Sequence, residues 1–167
     1  MSLIPIESLA SQLEPAWTFL SGHQRHFAPT DQLMLPRPGE TEHRVVLPVK
    51  LLNGNRLVAV GVMIDQDQAE AVARFMFGQP EGVVNEADLQ DACLETCNVL
   101  ASSVIKVCEN PAVIDIGLPT EVSAQTYADL QAHAIARVTL MSEIDHEHRI
   151  VVTVFDVSDQ SVFGVLT

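Results

Sequence analysis

The chain has 167 residues, the length of one ordinary domain, and can bury roughly 70% of its unfolded surface without covalent staples. An apolar fraction of 47% and a mean hydropathy of +0.20 supply a core and exclude intrinsic disorder as a description of the whole. Nine basic against 22 acidic residues leave a net charge of −13, which repels phosphate backbones and anionic lipid, so no nucleic acid and no membrane is an expected partner.

The longest strongly apolar run, residues 57–64, falls far short of the ~20 residues of a membrane-spanning helix. The N-terminal stretch lacks a positive region and carries Glu7 and Glu14 early, so no secretory signal is legible and a soluble, cytoplasmic protein is expected. Three cysteines, Cys93, Cys97 and Cys108, form no disulfide framework. Cys93 and Cys97 share one face of a helical segment, where a metal or redox pair competes with the plainer reading as small buried hydrophobes. No second Cys or His pair completes a tetrahedral set, which favours the plainer one.

In chain order, residues 6–20 predict a first helix with a kink or break at Pro15. Residues 30–40 read as an extended segment closed by Pro36, Pro38 and Gly39. The runs 43–52 and 55–65 are β-branched, apolar strands joined at Asn53-Gly54, a hairpin signal. Pro48 lacks a ladder donor and places its strand at an edge or a bulge. Residues 65–78 form a second helix, opened by a box-like Asp67 and Glu70 and closed by Gly78 and Pro80.

The longest helix spans about 85–109, capped by Asn85 with Asp88 at the reciprocal position. A short strand, 112–118, ends at Pro119, and a helical turn at 125–132 precedes three strands, 134–144, 149–157 and 161–167. Strands in runs with helices segregated from them imply an α+β fold, two halves of an αβββ type on a largely antiparallel sheet, in a single domain over 1–167.

Along the long helix, Leu89, Cys93, Cys97, Leu100, Val104, Val107 and Cys108 fall together as an apolar stripe. Asp91, Glu95, Asn98 and Ser102 stack on the opposite side within a sector of about 60°. A solvated face is the ordinary explanation of such a row. This one, however, carries no Lys or Arg, and its central Asn is a mediocre helix former that needs a reason to be there.

The string Asp91-x3-Glu95-x2-Asn98, followed by Pro119 at a strand end, resembles the CheC/CheX/FliY family of chemotaxis phosphatases. That signature is an Asp or Ser, a Glu four on, an Asn three further and a Pro about twenty-three later. Pro119 here follows Asn98 by twenty-one residues, and Ser102 stands where a small Gly is frequent. The double αβββ pattern and the final strand meander extend the likeness over most of the chain.

The first helix offers Glu14 with Trp17 and Glu7 with Ala10, without an Asn, so one site per chain remains, similar to CheX-like members. The resemblance implies a phosphatase for the aspartyl phosphate of a CheY-like receiver and a homodimer. Asn98 would position the attacking water, Glu95 would pair with the receiver's Lys, and Asp91, Ser102 and Pro119 would support the site. No cofactor of its own is implied, since the Mg²⁺ belongs to the receiver. The competing reading is a non-catalytic module of the same fold that binds a receiver or a twin subunit.

Three other constellations are weaker. Asp145, His146, Glu147 and His148 offer alternating imidazoles to a metal but sit where a polar hairpin tip is expected anyway. His133, His23, His26 and Arg25 read as surface residues. No Gly-x-Ser-x-Gly elbow or Gly-rich phosphate loop occurs.

Overall fold

The computed structural model describes residues 4–51, 56–79, 82–108, 113–145 and 147–157. Its elements run α1 (Ile6–Ser21), β1 (Ala28–Pro29), β2 (Glu42–Leu51), β3 (Arg56–Asp65), α2 (Gln66–Phe77), α3 (Glu86–Val107), β4 (Val113–Ile116), β5 (Thr120–Glu121), α4 (Ala124–His133), β6 (Ala136–Ile144) and β7 (His148–Asp156). The strands form one seven-stranded sheet in the order β1-β6-β7-β3-β2-β4, with β5 also on β2, and every pairing is antiparallel. The α+β class and the antiparallel sheet expected from the sequence are thus what the chain forms.

Strand alternation builds two cores, because successive side chains point to opposite faces. On β3, Val58, Val60, Val62 and Ile64 join the core under the helices, while Ala59 and Met63 point the other way. Val45, Leu47 and Val49 of β2 and Ile150, Val152 and Val154 of β7 share the first face with α1, α2 and α3. The second face is covered by Tyr127 and Leu130 of α4 and by Met34 of the segment after β1. Burial on both faces explains why β3 and β7 read as nearly continuous apolar runs rather than alternating ones.

Several local expectations are corrected. Of the kink or break expected at Pro15, the break does not occur: α1 runs on to Ser21, and Leu9 and Leu13 before the proline and Trp17 and Leu20 after it enter the same core. The second helix is capped by Asp65 rather than by the Asp67 box: its Oδ1 accepts from the Gln68 amide at 2.9 Å while its Oδ2 accepts from the Arg149 amide at 2.7 Å. Residues 30–40 form no strand; Gln131 clamps Met34 instead, accepting from its amide at 3.0 Å and donating to its carbonyl at 3.1 Å.

Of the two alternatives for the Pro48 strand, the edge is not what forms, while a register shift between Lys50 and Leu51 interrupts the pairing of β2 with β4. β4 and β5 pair with successive parts of its outer side, and Pro48 falls between them, where no ladder donor is required. Its carbonyl accepts from the Gly117 amide at 2.8 Å. Gly117 is required there, since a Cβ would lie 2.4 Å from Pro48 Cγ. The predicted turn Asn53-Gly54 and the last strand, 161–167, lie outside the described residues, although β2 and β3 pair in register from Glu42 with Asp65 to Leu51 with Arg56.

Candidate functional site

α3 is the helix that carries the candidate residues. Asn85 caps it, accepting from the Asp88 amide at 2.8 Å and donating from its own amide to the Asp88 carboxylate at 2.7 Å. Leu89, Ala92, Cys93, Thr96, Cys97, Leu100, Ala101, Ser103 and Val104 are buried, a wider arc than the strongly apolar stripe. Small residues at Ala92, Cys93, Cys97 and Ala101 let the backbone lie close to β2 and β3. Cys97 Sγ approaches the carbonyl oxygens of Val45 and Val60 at 3.8 and 3.9 Å.

Asp91, Glu95, Asn98 and Ser102 therefore face away from the sheet. Asp91, Glu95 and Ser102 are exposed and Asn98 is half-buried. Asn98 Nδ2 donates to Glu95 Oε2 at 3.3 Å, and Ser102 Oγ donates to the Asn98 carbonyl at 2.8 Å. A carboxamide's oxygen and nitrogen point to opposite sides of its carbon, so this bond aims Asn98 Oδ1 away from the carboxylate. The carboxylate and the amide are thereby presented together at the surface, one turn of helix apart.

Asp91 sits one turn before Glu95 on the same exposed row. Pro119 belongs to the sheet layer, half-buried between β4 and β5. Burial, and after it the carboxylate of Glu121 two residues on, push the Cys93 thiol of α3 up to about 12. Burial pushes the Cys97 thiol up as well. These two cysteines are core residues, as the plainer reading has them, and both are held as neutral thiols.

On the first helix, Glu14 and Trp17 have partners of their own. Glu14 Oε1 pairs with His26 Nδ1 at 2.7 Å, and Trp17 is buried under the Arg25 guanidinium at 6.0 Å. His23 and His26 are exposed, but Arg25 is not the surface residue expected. It donates to the His148 carbonyl at 2.8 Å and to Gln68 Oε1 at 2.6 Å, and those partners make its burial tolerable. Exposed His133 caps its own helix by a 2.8 Å bond to the Asp129 carbonyl.

Among the described residues no three His, Cys, Asp or Glu side chains gather to hold a metal ion. His146 of the hairpin tip lies outside them, and Asp145 there has a φ of 52°, a turn conformation. No helix among the described residues is long and apolar enough to cross a membrane.

Phe19 is a residue that sequence reasoning missed. It lies beside a groove shared with Val99, Ser102 and Lys106 of α3 and is 74% exposed. The signal was present: Leu9, Leu13, Trp17 and Leu20 point one way, and Phe19 lies about 115° round the helix from the middle of their arc.

No protein-family model matches the chain, and no curated protein sequence does either. Solved structures do match. A chain of the CheX–CheY–BeF3–Mg²⁺ complex from Borrelia burgdorferi superposes with a TM-score of 0.64 at 12% identity, over 92% of this chain and 98% of that one. A CheC-like superfamily protein from Shewanella sp. PV-4 gives 0.64 at 11%, over 93% and 98%. The chemotaxis protein CheX from Vibrio vulnificus gives 0.62 at 10%, over 90% and 97%. The resemblance read from the sequence thus holds at the level of the fold: this chain has the CheC-like fold of the CheX chemotaxis proteins.

Proposed function

We propose that the chain is a phosphatase that hydrolyses the aspartyl phosphate of a CheY-like receiver. The observation that carries the reading is the outward pair on α3, Asn98 Nδ2 on Glu95 Oε2 at 3.3 Å, at the signature spacing and on the matching fold. An exposed helix face suits a reaction whose pocket belongs to the other molecule.

Phosphoryl transfer through a loose transition state is limited by positioning and charge stabilisation, so little covalent chemistry is asked of this chain. Asn98 Oδ1 accepts a hydrogen from a water and holds it in line with the scissile bond. The water's oxygen bonds to phosphorus as the bond from phosphorus to the aspartyl oxygen breaks. The carboxylate leaves as an anion, and the water's proton passes to the released phosphate. An amide needs no shifted pKa for this work, which fits a surface position.

Glu95 pairs with the receiver's Lys by a charge-assisted hydrogen bond and sets the docking register. Asp91 extends the acidic row, Ser102 ties down the Asn98 backbone and Pro119 closes the β4 exit. The Mg²⁺ is the receiver's, and no cofactor of this chain enters. A soluble, cytoplasmic place goes with a receiver substrate. A homodimer would use a sheet edge: among the described residues β4 ends the strand order, and Ile116 and Leu118 at and just after it are 50% and 82% exposed.

The test is phosphate release from a phosphorylated receiver with and without the purified chain. Acceleration supports hydrolysis; binding of the receiver at its spontaneous decay rate points to the non-catalytic module instead.

A further inference from the structure

The aspartyl phosphate pocket is chemically alike from one receiver to another, so Glu95 and Asn98 recognise the linkage but not which receiver bears it. Discrimination has to come from contacts around them. The groove between α1 and α3 lies at that border. Pro15, Ala16 and Phe19 form one wall, and Val99, Ser102 and Lys106 the other. Ser102 is also the side chain that hydrogen-bonds the Asn98 carbonyl at 2.8 Å, so the groove begins where the reactive row ends.

The apolar surface continues past the groove. Phe19 is 74% exposed, and one turn on, Gly22 closes α1 in a left-handed conformation with φ 73°. A Cβ at Gly22 would come within 2.7 Å of the Phe75 ring, so α1 ends directly against α2 there, and Phe75 is itself 55% exposed. Of the described phenylalanines, Phe19, Phe75 and Phe77 are exposed, and all three lie in the helical layer that bears Glu95.

We infer that Phe19, with the groove it borders, is the receiver-specificity determinant of this chain, seating an apolar side chain of the receiver beside the Glu95–Asn98 row. The inference rests on the proposed function, and geometry selects the occupant. Ser102 is one turn, about 6 Å, along α3 from Asn98. A stable interface covers about 800 Å² per partner, a disc of radius about 16 Å. A receiver centred on Asn98 therefore covers the groove. The receiver's cation would sit over Glu95, which leaves Lys106, the cation at the far end of the same wall, open to an acidic group of that partner. A second copy seated here would close over Glu95 and Asn98 and shut the site.

The experiment uses the full chain and each CheY-type receiver of the source genome, activated with beryllofluoride for binding and phosphorylated for turnover. Phe19→Ala raises Kd for the preferred receiver by about tenfold or more, the worth of a buried aromatic. It leaves the rate at saturating chain unchanged and narrows the gap between preferred and disfavoured receivers. Asn98→Ala does the reverse, keeping binding and losing hydrolysis. If hydrolysis is absent but Phe19→Ala still weakens binding, the catalytic reading fails and this inference stands.

Unchanged affinity and selectivity in Phe19→Ala overturn the inference while leaving Asn98 its role. Binding of no receiver by the parent chain overturns both. Conversion of a dimer to a monomer by Phe19→Glu, with receiver affinity intact, assigns the groove to a second copy and overturns it too.

Discussion

Gly61 sits in the middle of the central strand β3, opposite Val46 on β2 and Thr153 on β7, and its missing side chain is what lets α4 dock. A Cβ there would lie 2.8 Å from Phe155 Cε2, 2.9 Å from Tyr127 Cε2 and 3.2 Å from Tyr127 Oη. Neither ring has room to retreat. They meet edge to face with centroids 5.6 Å apart, both are fully buried, and Tyr127 Oη donates to Thr153 Oγ1 at 3.4 Å. Overpacking of this kind costs about 1–3 kcal/mol, against a gain of about 0.4–1 kcal/mol from stiffening the unfolded chain, so Gly61→Ala should destabilise by about 1–2 kcal/mol. Urea unfolding followed by circular dichroism reads this as a lower midpoint at unchanged slope. Adding Tyr127→Leu should cost less than the two single changes together, a coupling of at least about 0.5 kcal/mol. The α3 face lies across the sheet, so receiver-directed activity should persist. A neutral or stabilising Gly61→Ala, or strict additivity with Tyr127→Leu, would refute the packing argument.

Other consequences are equally open to measurement. Burial and Glu121 raise the Cys93 thiol from 9.0 to about 12, burial raises the Tyr127 hydroxyl from 10.0 to about 12, and Cys97 is raised too. The unfolded chain loses these protons first. Stability is therefore full below about pH 9 and falls as pH climbs toward 12, by about 1.4 kcal/mol per pH unit for each group in its window. Cys93→Ala should make that decline shallower by one such increment in urea midpoints measured across the range, and an unchanged slope would contradict the assignment. Asp65→Ala removes a helix cap and strands the Arg149 amide in the interior, for about 2–4 kcal/mol, whereas Asn85→Ala loses only an exposed cap at about 1 kcal/mol; equal losses in the same urea assay would contradict this. Glu42 is buried between Arg149 and Arg44. Arg149→Met should cost about 1–3 kcal/mol, because Glu42 loses one charge-assisted partner and keeps Arg44; an unchanged thermal midpoint would contradict this.

Much of this was legible in the chain's own pattern. β-branched apolar runs bounded by turn residues mark β2, β3, β6 and β7 within a residue or two, and Asn85 with Asp88 marks the start of α3. What escaped was set by tertiary context. Asp65, the cap of α2, is obscured in the sequence because it is also the last residue of a strand, and only the approach of Arg149 from β7 shows its second bond. Pro48 signals an edge or a bulge, and the gap between β4 and β5 that accommodates it is long-range information. Arg25 looked like a surface cation until the His148 carbonyl and Gln68, distant in sequence, closed around it. The row Asp91, Glu95, Asn98 and Ser102 followed from helical periodicity alone, since four local positions need no knowledge of the rest of the fold. Phe19 was readable by the same wheel, but its groove required α1 to be placed against α3.

The most direct test is the decay of a radiolabelled receiver phosphate at saturating chain, compared between the parent protein and Asn98→Ala. The water-positioning role predicts a loss of more than about tenfold with receiver binding retained, since misplacing one attacking water costs ~10². An Asn98→Ala chain that clears the phosphate as fast as its parent would contradict it.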